Sequence, residues 1–521
     1  MRVFNVTGLC AANLHYMADT GEKIAQIEKF VEAGSYFSIN RGRQYGKTTT
    51  FSLLEKKLQG KYTVIRISFE GVDDSMFEAE DNFCQGLLSQ LAKYFIERNL
   101  PGADEWEDKS VIGFSLLAGF LDKICLGRKI VLMIDEVDKS SNNFIFLKFL
   151  GMLRDKYLKR NDGIGATFQS VILAGVYDIK NLKTKMILAG THQLQDGEKR
   201  INSPWNIAIH FNVDMSLSVK EIASMLLEYE RDHKTGMDIE ATAGEIRNYT
   251  NGYPYLVSRI CQCIENELNR DWTAAGVKNA VKYILNETNL LFDDLGKNIL
   301  GNKELADLLY DITVNGQSYA FNATDYAMGL GFTFGFLRND NGRAVIDNQI
   351  FETVIYEHFI TEKKRKGISI NRVVSNEIIE DGKFNMELCV KKFAEHYYEL
   401  YRESGKKFLE EECRMLFLTY LKPLINGTGF YHIESETRDI KRMDIVVDYL
   451  SEQFIIELKL WYGESSREKA YEQLCGYLER KKRDSGFLIT FDFRKTENVG
   501  EPQFKWVEYK GKKIFDIAVG F

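Results

Sequence analysis

Along the first part of the chain, short runs of consecutive apolar residues alternate with stretches whose apolar residues return every three or four positions. The runs are "SYFSIN" (35–40), "YTVIRISFE" (62–70), "KIVLMIDE" (129–136), "SVILAGVY" (170–177) and "NIAIHFNV" (206–213). Each reads as a strand. The stretches between them, such as "EKIAQIEKFVEAG" and "NFCQGLLSQLAKYFIER", supply the helical crossovers of a parallel sheet. From 216 to 290 the pattern is helical throughout. The segment 291–360 contains "FLRNDNGRAVI", a hairpin with a glycine turn between helices, which fits a winged-helix-like module. "TEKKRKG" (361–367) is a charge run without apolar period, and the linker is placed there, although a solvated helix end explains the run equally well. The remainder starts with two helices, "NMELCVKKFAEHYYELY" and "FLEEECRMLFLTYLKPL". Adjacent strands "KRMDIVVDYL" and "EQFIIELKLW" follow, then the helix "SREKAYEQLCGYLERKK" and the strand "SGFLITFDF". The expected class is α/β in four parts: a parallel-sheet core (1–215), a helical lid (216–290), a winged-helix-like segment (291–360) and a second α/β domain (370–521).

Composition narrows the partners. At 521 residues the chain is expected to hold about two to four domains. Its 45% apolar and 27% charged residues, with five prolines, are those of a globular protein without disordered linkers. A net charge of −7 excludes a broad basic footprint, so any nucleic-acid contact must be local. The eight cysteines are scattered, without CxxC or zinc spacing, and read as buried hydrophobes in a reducing compartment. No apolar run reaches membrane-spanning length and the N-terminus lacks a signal-peptide core, so a cytoplasmic location without membrane contact is expected.

The stretch "NRGRQYGKTTTF" (40–51) stands between a strand and a helix and ends Gly46, Lys47, Thr48. That is the order of a phosphate-binding loop, in which backbone N–H groups and a helix N-terminus converge on anions. Gly46 admits close approach of the backbone, Lys47 reaches the β/γ oxygens, and Thr48 offers its hydroxyl to Mg²⁺. Thr49 continues the first turn. The first glycine of G-x-x-x-x-G-K-[ST] falls on Arg41, and the glycine sits one place late, at Gly42. Arg43, Gln44 and Tyr45 are therefore expected to turn differently and cover the phosphates. Downstream, "VLMIDE" ends in Asp135, a Mg²⁺ holder through water, and Glu136, which orients or deprotonates the attacking water. Tyr177 or Asp178, after the next strand, could sense the γ-phosphate, although a strand-end turn explains them equally well. "TNGYPYLV" (250–257) places a Gly-Tyr-Pro turn in the lid, where it could approach the nucleotide. No arginine finger can be named, so hydrolysis is expected to be slow or to depend on assembly into a homo-oligomer.

The second candidate site has the form D-x12-E-x-K. Glu457 and Lys459 share one face of a strand. Asp444 joins them if the hairpin turn keeps an even register, with a two-residue loop at Ser451–Glu452 or at Leu450–Ser451. Carboxylates held together in an apolar sheet repel each other unless a cation compensates them. Mg²⁺ with oxygen ligands from Asp444 and Glu457 would do so, with Mn²⁺ as a substitute, and Lys459 would position water or stabilise developing charge. Glu412 falls on the stripe Phe408, Glu412, Leu416, Tyr420 of an earlier helix, with Glu411 pointing away. Gln473 and Tyr477, one helical turn apart, can face the same carboxylates. A structural cross-strand ion pair is the plain alternative for Glu457 and Lys459.

With those residues in view, "HYMAD…YFSINRGRQYGKTTT…VLMIDEVD…VILAGVYD…TNGYPYLVSRIC" resembles the bacterial AAA-ATPase-like family. "FLTYLKPLINGTGFYHIESETRDIKRMDIVVDY…FIIELKLWYG…QLCGYL…GFLITFDF" resembles the PD-(D/E)XK nuclease superfamily domain fused to many of its members. The resemblance implies a P-loop (AAA/STAND-like) core and a restriction-endonuclease-like C-terminal domain. It makes the offset glycine a family trait, and places His15, Tyr16, Met17 and Asp19 near the nucleotide base. By the same resemblance Asp444 and Glu457 are metal ligands, Lys459 the catalytic lysine, Glu412 the first-helix acid, and Gln473 with Tyr477 a Q-x-x-x-Y motif. "RMD" stands where the superfamily has Pro-Asp, which changes no ligand. The expected function is an ATP-binding, hydrolysing module controlling metal-dependent cleavage of nucleic acid, DNA foremost, a pairing suited to defence against phage or mobile DNA. The rivals are a nucleotide-dependent switch or scaffold that binds without cutting, and a mobile-element protein that uses the metal site for strand transfer.

Overall fold

A computed structural model describes residues 2–100, 113–140, 144–176, 205–314, 317–365, 378–380, 383–401, 410–425, 429–432, 445–450, 452–461, 463–493 and 501–520. Tyr177, Asp178 and Asp444 lie outside the described residues. The chain divides into two compact units, Met1–Ile284 with Asn322–Asn339, and Leu285–Phe321 with Asp340–Phe521.

The first unit is built on a parallel sheet of β1 (Phe37–Asn40), β2 (Thr63–Ser68), β3 (Ile130–Asp135) and β4 (Ser170–Gly175), in the order β1-β4-β3-β2. Every residue of β3 and β4 is buried, as expected where helices cover both faces. One core packs Phe83, Leu87 and Leu91 of helix Glu80–Glu97, Leu117 and Leu121 of helix Gly113–Cys125, and Phe146, Phe149 and Leu153 of helix Phe144–Asn161 against Ile65, Leu132 and Val171 of the strands. The run 206–213 reaches the sheet beside β1 only through the parallel bridge Phe37–Ile209, where the Ile209 N–H donates to the Tyr36 carbonyl at 2.9 Å. The order along the edge is thus Ile209, β1, β4, β3, β2. It brings the C-terminal ends of β1 and β3 to either side of β4, the crevice where open α/β sheets bind ligands.

The lid helices start at strong caps. Ser218 and Glu221 form a reciprocal capping box on helix Val219–His233, Asp238 caps Ile239–Thr250, and Pro254 opens Pro254–Asn266. Gly252, at φ 72°, is required between them, because a Cβ there would lie 2.0 Å from the Leu217 carbonyl oxygen.

The second unit carries a six-stranded mixed sheet. Its strands are β5 (Gly429–His432), β6 (Ile445–Tyr449), β7 (Glu452–Leu460), β8 (Ser485–Asp492), β9 (Gln503–Tyr509) and β10 (Lys512–Gly520), in the order β5-β6-β7-β8-β10-β9. β5, β6 and β7 form an antiparallel meander, and helix Glu464–Arg480 crosses to β8, parallel to β7. β10 is also parallel to β8, and β9 returns antiparallel through a turn at Lys510 and Gly511, both at positive φ. The apolar pattern does not announce that last hairpin. The segment 291–360, expected as one module, is shared: Asn322–Asn339 is compact with the first unit and the rest with the second. All eight cysteines are free, and all but Cys10 are buried. Among the described residues no helix is long and apolar enough to cross a membrane.

Candidate functional site

The loop after β1 enters helix Lys47–Leu58 through Gly46, which takes the left-handed conformation at φ 77° as the N-cap. The first-turn N–H groups of a helix have no intrahelical acceptor, and they open here beside the ends of β3 and β4. The buried Lys47 side chain folds back into this mouth, and its Nζ donates to the carbonyls of Arg41 and Gly42, each at 2.9 Å. Burial pulls the ammonium pKa down, opposed by the charges of Glu136, Asp138 and Asp135. Thr48 Oγ1 donates to Asp135 Oδ2 at 3.2 Å, so the helix hydroxyl and the strand-end carboxylate already meet. Two hard oxygen donors at that spacing suit Mg²⁺ in donor type.

Glu136 sits at φ 53°, a strained conformation for a non-glycine residue, with its N–H bonded to Asp135 Oδ1 at 3.0 Å. Burial, with Asp135 and Asp138 close by, raises its pKa against the opposing pull of Lys47. A carboxylate with a raised folded pKa destabilises the fold once it ionises. Its favourable contribution is complete below the unfolded value and is lost as pH rises through the folded one. Glu136→Gln is therefore expected to raise thermal stability slightly at neutral pH while abolishing turnover. A melting series across pH, paired with phosphate release, checks both, and retained turnover would remove the residue from the chemistry.

Two residues that sequence reasoning passed over hold this arrangement. Asp138, three after Asp135, accepts from the Val176 N–H and ties the end of β4 to that of β3. Arg66 on β2 donates to the Thr48 carbonyl at 3.4 Å and stands 3.9 Å from Asp135. The extra carboxylate in "DEVD" signalled Asp138. Nothing local signals Arg66, which the pairing of β2 with β3 brings there.

The late glycine now has a cause. A Cβ on Gly42 would lie 2.3 Å from the carbonyl oxygen of Phe334, a backbone approach only glycine allows. Arg43 and Gln44 are exposed, and Gln44 supplies the odd backbone turn at φ 57°. Tyr45 differs from the expected phosphate cover. It is buried edge-on against Tyr253, ring centroids 4.7 Å apart, because the Gly-Tyr-Pro turn offers it an apolar partner. The Tyr253 hydroxyl also donates to the Arg43 carbonyl at 2.5 Å.

Beside Gly46 and Thr49 lies a pocket walled mainly by Tyr16, Met17, Ile24, Leu53, Met215 and Met225. Thr49 Oγ1 accepts from the Cys10 N–H at 3.2 Å, which pins the N-terminal segment over the helix. Of the "HYM-D" residues, Tyr16 and Met17 line this pocket. His15 Nδ1 accepts from the Ala11 N–H at 2.9 Å, and Asp19 Oδ1 from the Gly21 N–H, also at 2.9 Å.

In the second unit Tyr449 pairs with Glu452 and Ile445 with Ile456, so the hairpin keeps an even register. Asp444 itself lies outside the described residues. Glu457 is wholly buried, and the Lys459 ammonium stands 2.9 Å from it and 3.3 Å from Glu410. Glu410, two positions before Glu412 on its helix, is thus an acid that meets Lys459. Helix Glu410–Ile425 is buried on every side from Cys413 to Leu421, so no single stripe selects its functional face. Glu412 is half-buried, and its charge acts on Tyr397 and Cys413. Gln473 Nε2 donates to the Tyr477 hydroxyl at 2.8 Å. Tyr477 packs with Ile455, which shares a face of β7 with Glu457 and Lys459. Among the described residues no group of three or more His, Cys, Asp or Glu is placed to hold a metal.

An unforeseen ion cluster lies on the same sheet. Asp516 on β10 is buried, and Arg467 reaches it at 2.7 Å while the Tyr471 hydroxyl donates to it. Arg467→Met leaves that buried charge to the more distant Lys505, at 4.0 Å, and is expected to cost the second unit about 3 kcal/mol in denaturant unfolding. Loss of under about 1 kcal/mol would assign the charge balance elsewhere.

No family model matches the chain, and no curated protein does. Among solved structures it is similar to a Walker-type ATPase of Pyrococcus abyssi, at 14% identity and TM-score 0.45, over 68% of this chain and 99% of that one. It is similar to the ORC2 protein of Aeropyrum pernix in ADPNP–ADP complexes, at 12% identity and TM-score 0.35, over 70% and 98%. A mutant of the RuvB protein of Thermotoga maritima follows at 13% identity and TM-score 0.32, over 68% and 96%.

Proposed function

We propose that the first unit binds ATP with Mg²⁺ and hydrolyses it, and that nucleotide state controls a metal-dependent cleavage of nucleic acid by the second. The observation that carries the ATPase reading is the meeting of Thr48 with Asp135 at 3.2 Å, directly behind Lys47 and beside the strained Glu136. The helix N-terminus and Lys47 Nζ take the phosphates, with Lys47 exchanging two loop carbonyls for phosphate oxygens. Thr48 and Asp135 would hold Mg²⁺, which would neutralise phosphate charge. Glu136 orients the attacking water and accepts its proton. The pocket lined by Tyr16, Met17 and Leu53 takes the base.

The cleavage reading is supported by a buried Glu457 with Lys459 two positions on, beneath a helix carrying the Gln473–Tyr477 pair. The meander β5–β7, crossover helix and parallel β8 put them at the centre of a mixed sheet. Asp444 directly precedes Ile445, whose partner Ile456 directly precedes Glu457. The oxygen donors of Asp444 and Glu457 suit Mg²⁺ or Mn²⁺, which would polarise the scissile phosphate, while Lys459 stabilises the leaving charge.

The test incubates plasmid and single-stranded DNA with the full chain, Mg²⁺ or Mn²⁺, with and without ATP. Cutting is expected in the wild type and lost in Asp444→Ala. If the wild type cuts nothing under any nucleotide condition, the second unit is a binding module and the protein a nucleotide-dependent switch.

A further inference from the structure

Residues Asn322–Asn339 are compact with the first unit, although the chain on both sides of them belongs to the second. Helix Tyr326–Phe334 ends on Gly335 at φ 76° and lays Phe332–Gly335 on the front half of the phosphate loop. The Phe334 carbonyl abuts Gly42, and the Arg41 guanidinium lies over the Phe332 ring at 5.5 Å. A Cβ on Gly335 would sit 3.4 Å from Tyr253 and 3.6 Å from Tyr45, so the loop is held between the Gly-Tyr-Pro turn and this segment. Arg41 and Gly42, the two residues it covers, are the ones whose carbonyls Lys47 holds.

We propose that 322–339 is a strap that senses whether phosphate occupies the loop and passes that state along the chain into the second unit. The proposal rests on the nucleotide reading above. A phosphate that recruits Lys47 takes the ammonium from the carbonyls of Arg41 and Gly42, so their peptide planes must find other partners. Gly42 has no clearance on its strap side, so a rotation there displaces Phe334. Small shifts at a packed backbone contact resolve into a second arrangement rather than a graded one. Both ends of the strap, Phe321–Asn322 and Asn339–Asp340, are covalent junctions with the other unit. The state of the loop therefore has a direct mechanical route, biased by one ligand's preference between two arrangements.

Hydrogen exchange on the full chain tests this, with ATP binding measured on the same samples. MgATP is expected to speed exchange of the Gly335 and Phe336 amides, which bond the Phe332 and Gly331 carbonyls, by about tenfold. The change should extend to Arg343–Ile346. Phe332→Ala removes the stacking on Arg41, and should exchange fast without nucleotide and respond no further, while still binding ATP. If ATP binds and the strap amides keep their rates, the strap is inert and the proposal is overturned, with the nucleotide reading intact. If the wild type binds no ATP, both fall together, and the binding measurement shows it.

Discussion

Lys47→Ala is expected to lower ATP affinity at least about a hundredfold, the largest single loss available in the first unit. The buried side chain already directs its hydrogen bonds into the loop mouth, at the carbonyls of Arg41 and Gly42. Burial makes this ammonium costly to keep charged, and the carboxylates of Glu136, Asp138 and Asp135 offset part of that cost. A triphosphate adds negative charge beside the buried ammonium, so binding and lysine charge reinforce each other. The variant loses those bonds and removes the buried cation that offsets the three carboxylates. Equilibrium binding of labelled ATP with and without Mg²⁺ measures the change, and circular dichroism shows that the fold is retained. Tight binding by a folded Lys47→Ala protein would remove the phosphate-loop assignment.

Lys459→Met is expected to eliminate cleavage, a fall of more than about a thousandfold, by removing the cation beside the scissile phosphate. The same change strips the fully buried Glu457 of its 2.9 Å partner, and uncompensated burial costs about 3–5 kcal/mol. Loss of activity alone would therefore not separate chemistry from folding. The double variant Glu457→Gln, Lys459→Met does, because it removes both charges and should recover most of the stability in denaturant unfolding. Cleavage should remain absent in it. A double variant that regains stability and also cuts DNA would make the pair a structural ion bridge and nothing more.

The parallel sheet was legible because its two central strands, β3 and β4, are largely consecutive apolar residues, a pattern that burial on both faces demands. β1 to β4 fall within the runs read from the sequence. The run 206–213 has the same look yet contributes one bridge, Phe37–Ile209. Gly46, Lys47 and Thr48 were readable as a string because strand, turn and helix are contiguous. Tyr45 escapes such a reading, since its ring is claimed by Tyr253 from a distant turn. Helical periodicity selects Glu412, yet the helix is buried all round from Cys413 to Leu421 and Glu410 stands 3.3 Å from Lys459. Periodicity identifies a face only when the other faces see water.

The amino-acid sequence by itself determined the local units: which runs become strands, where the helices are capped, and that a Gly-Lys-Thr helix start precedes an Asp-Glu strand end. These follow from interactions within a few residues and from the two periods of backbone geometry. Only the tertiary structure decided which carboxylate faces Lys459, that Asp516 is buried with Arg467, and that β4 lies between β1 and β3. It also decided the meaning of the late glycine. Gly42 is glycine because the Phe334 carbonyl, far away along the chain, occupies the space a side chain would need. No local pattern records such a contact, since it depends on how distant segments pack.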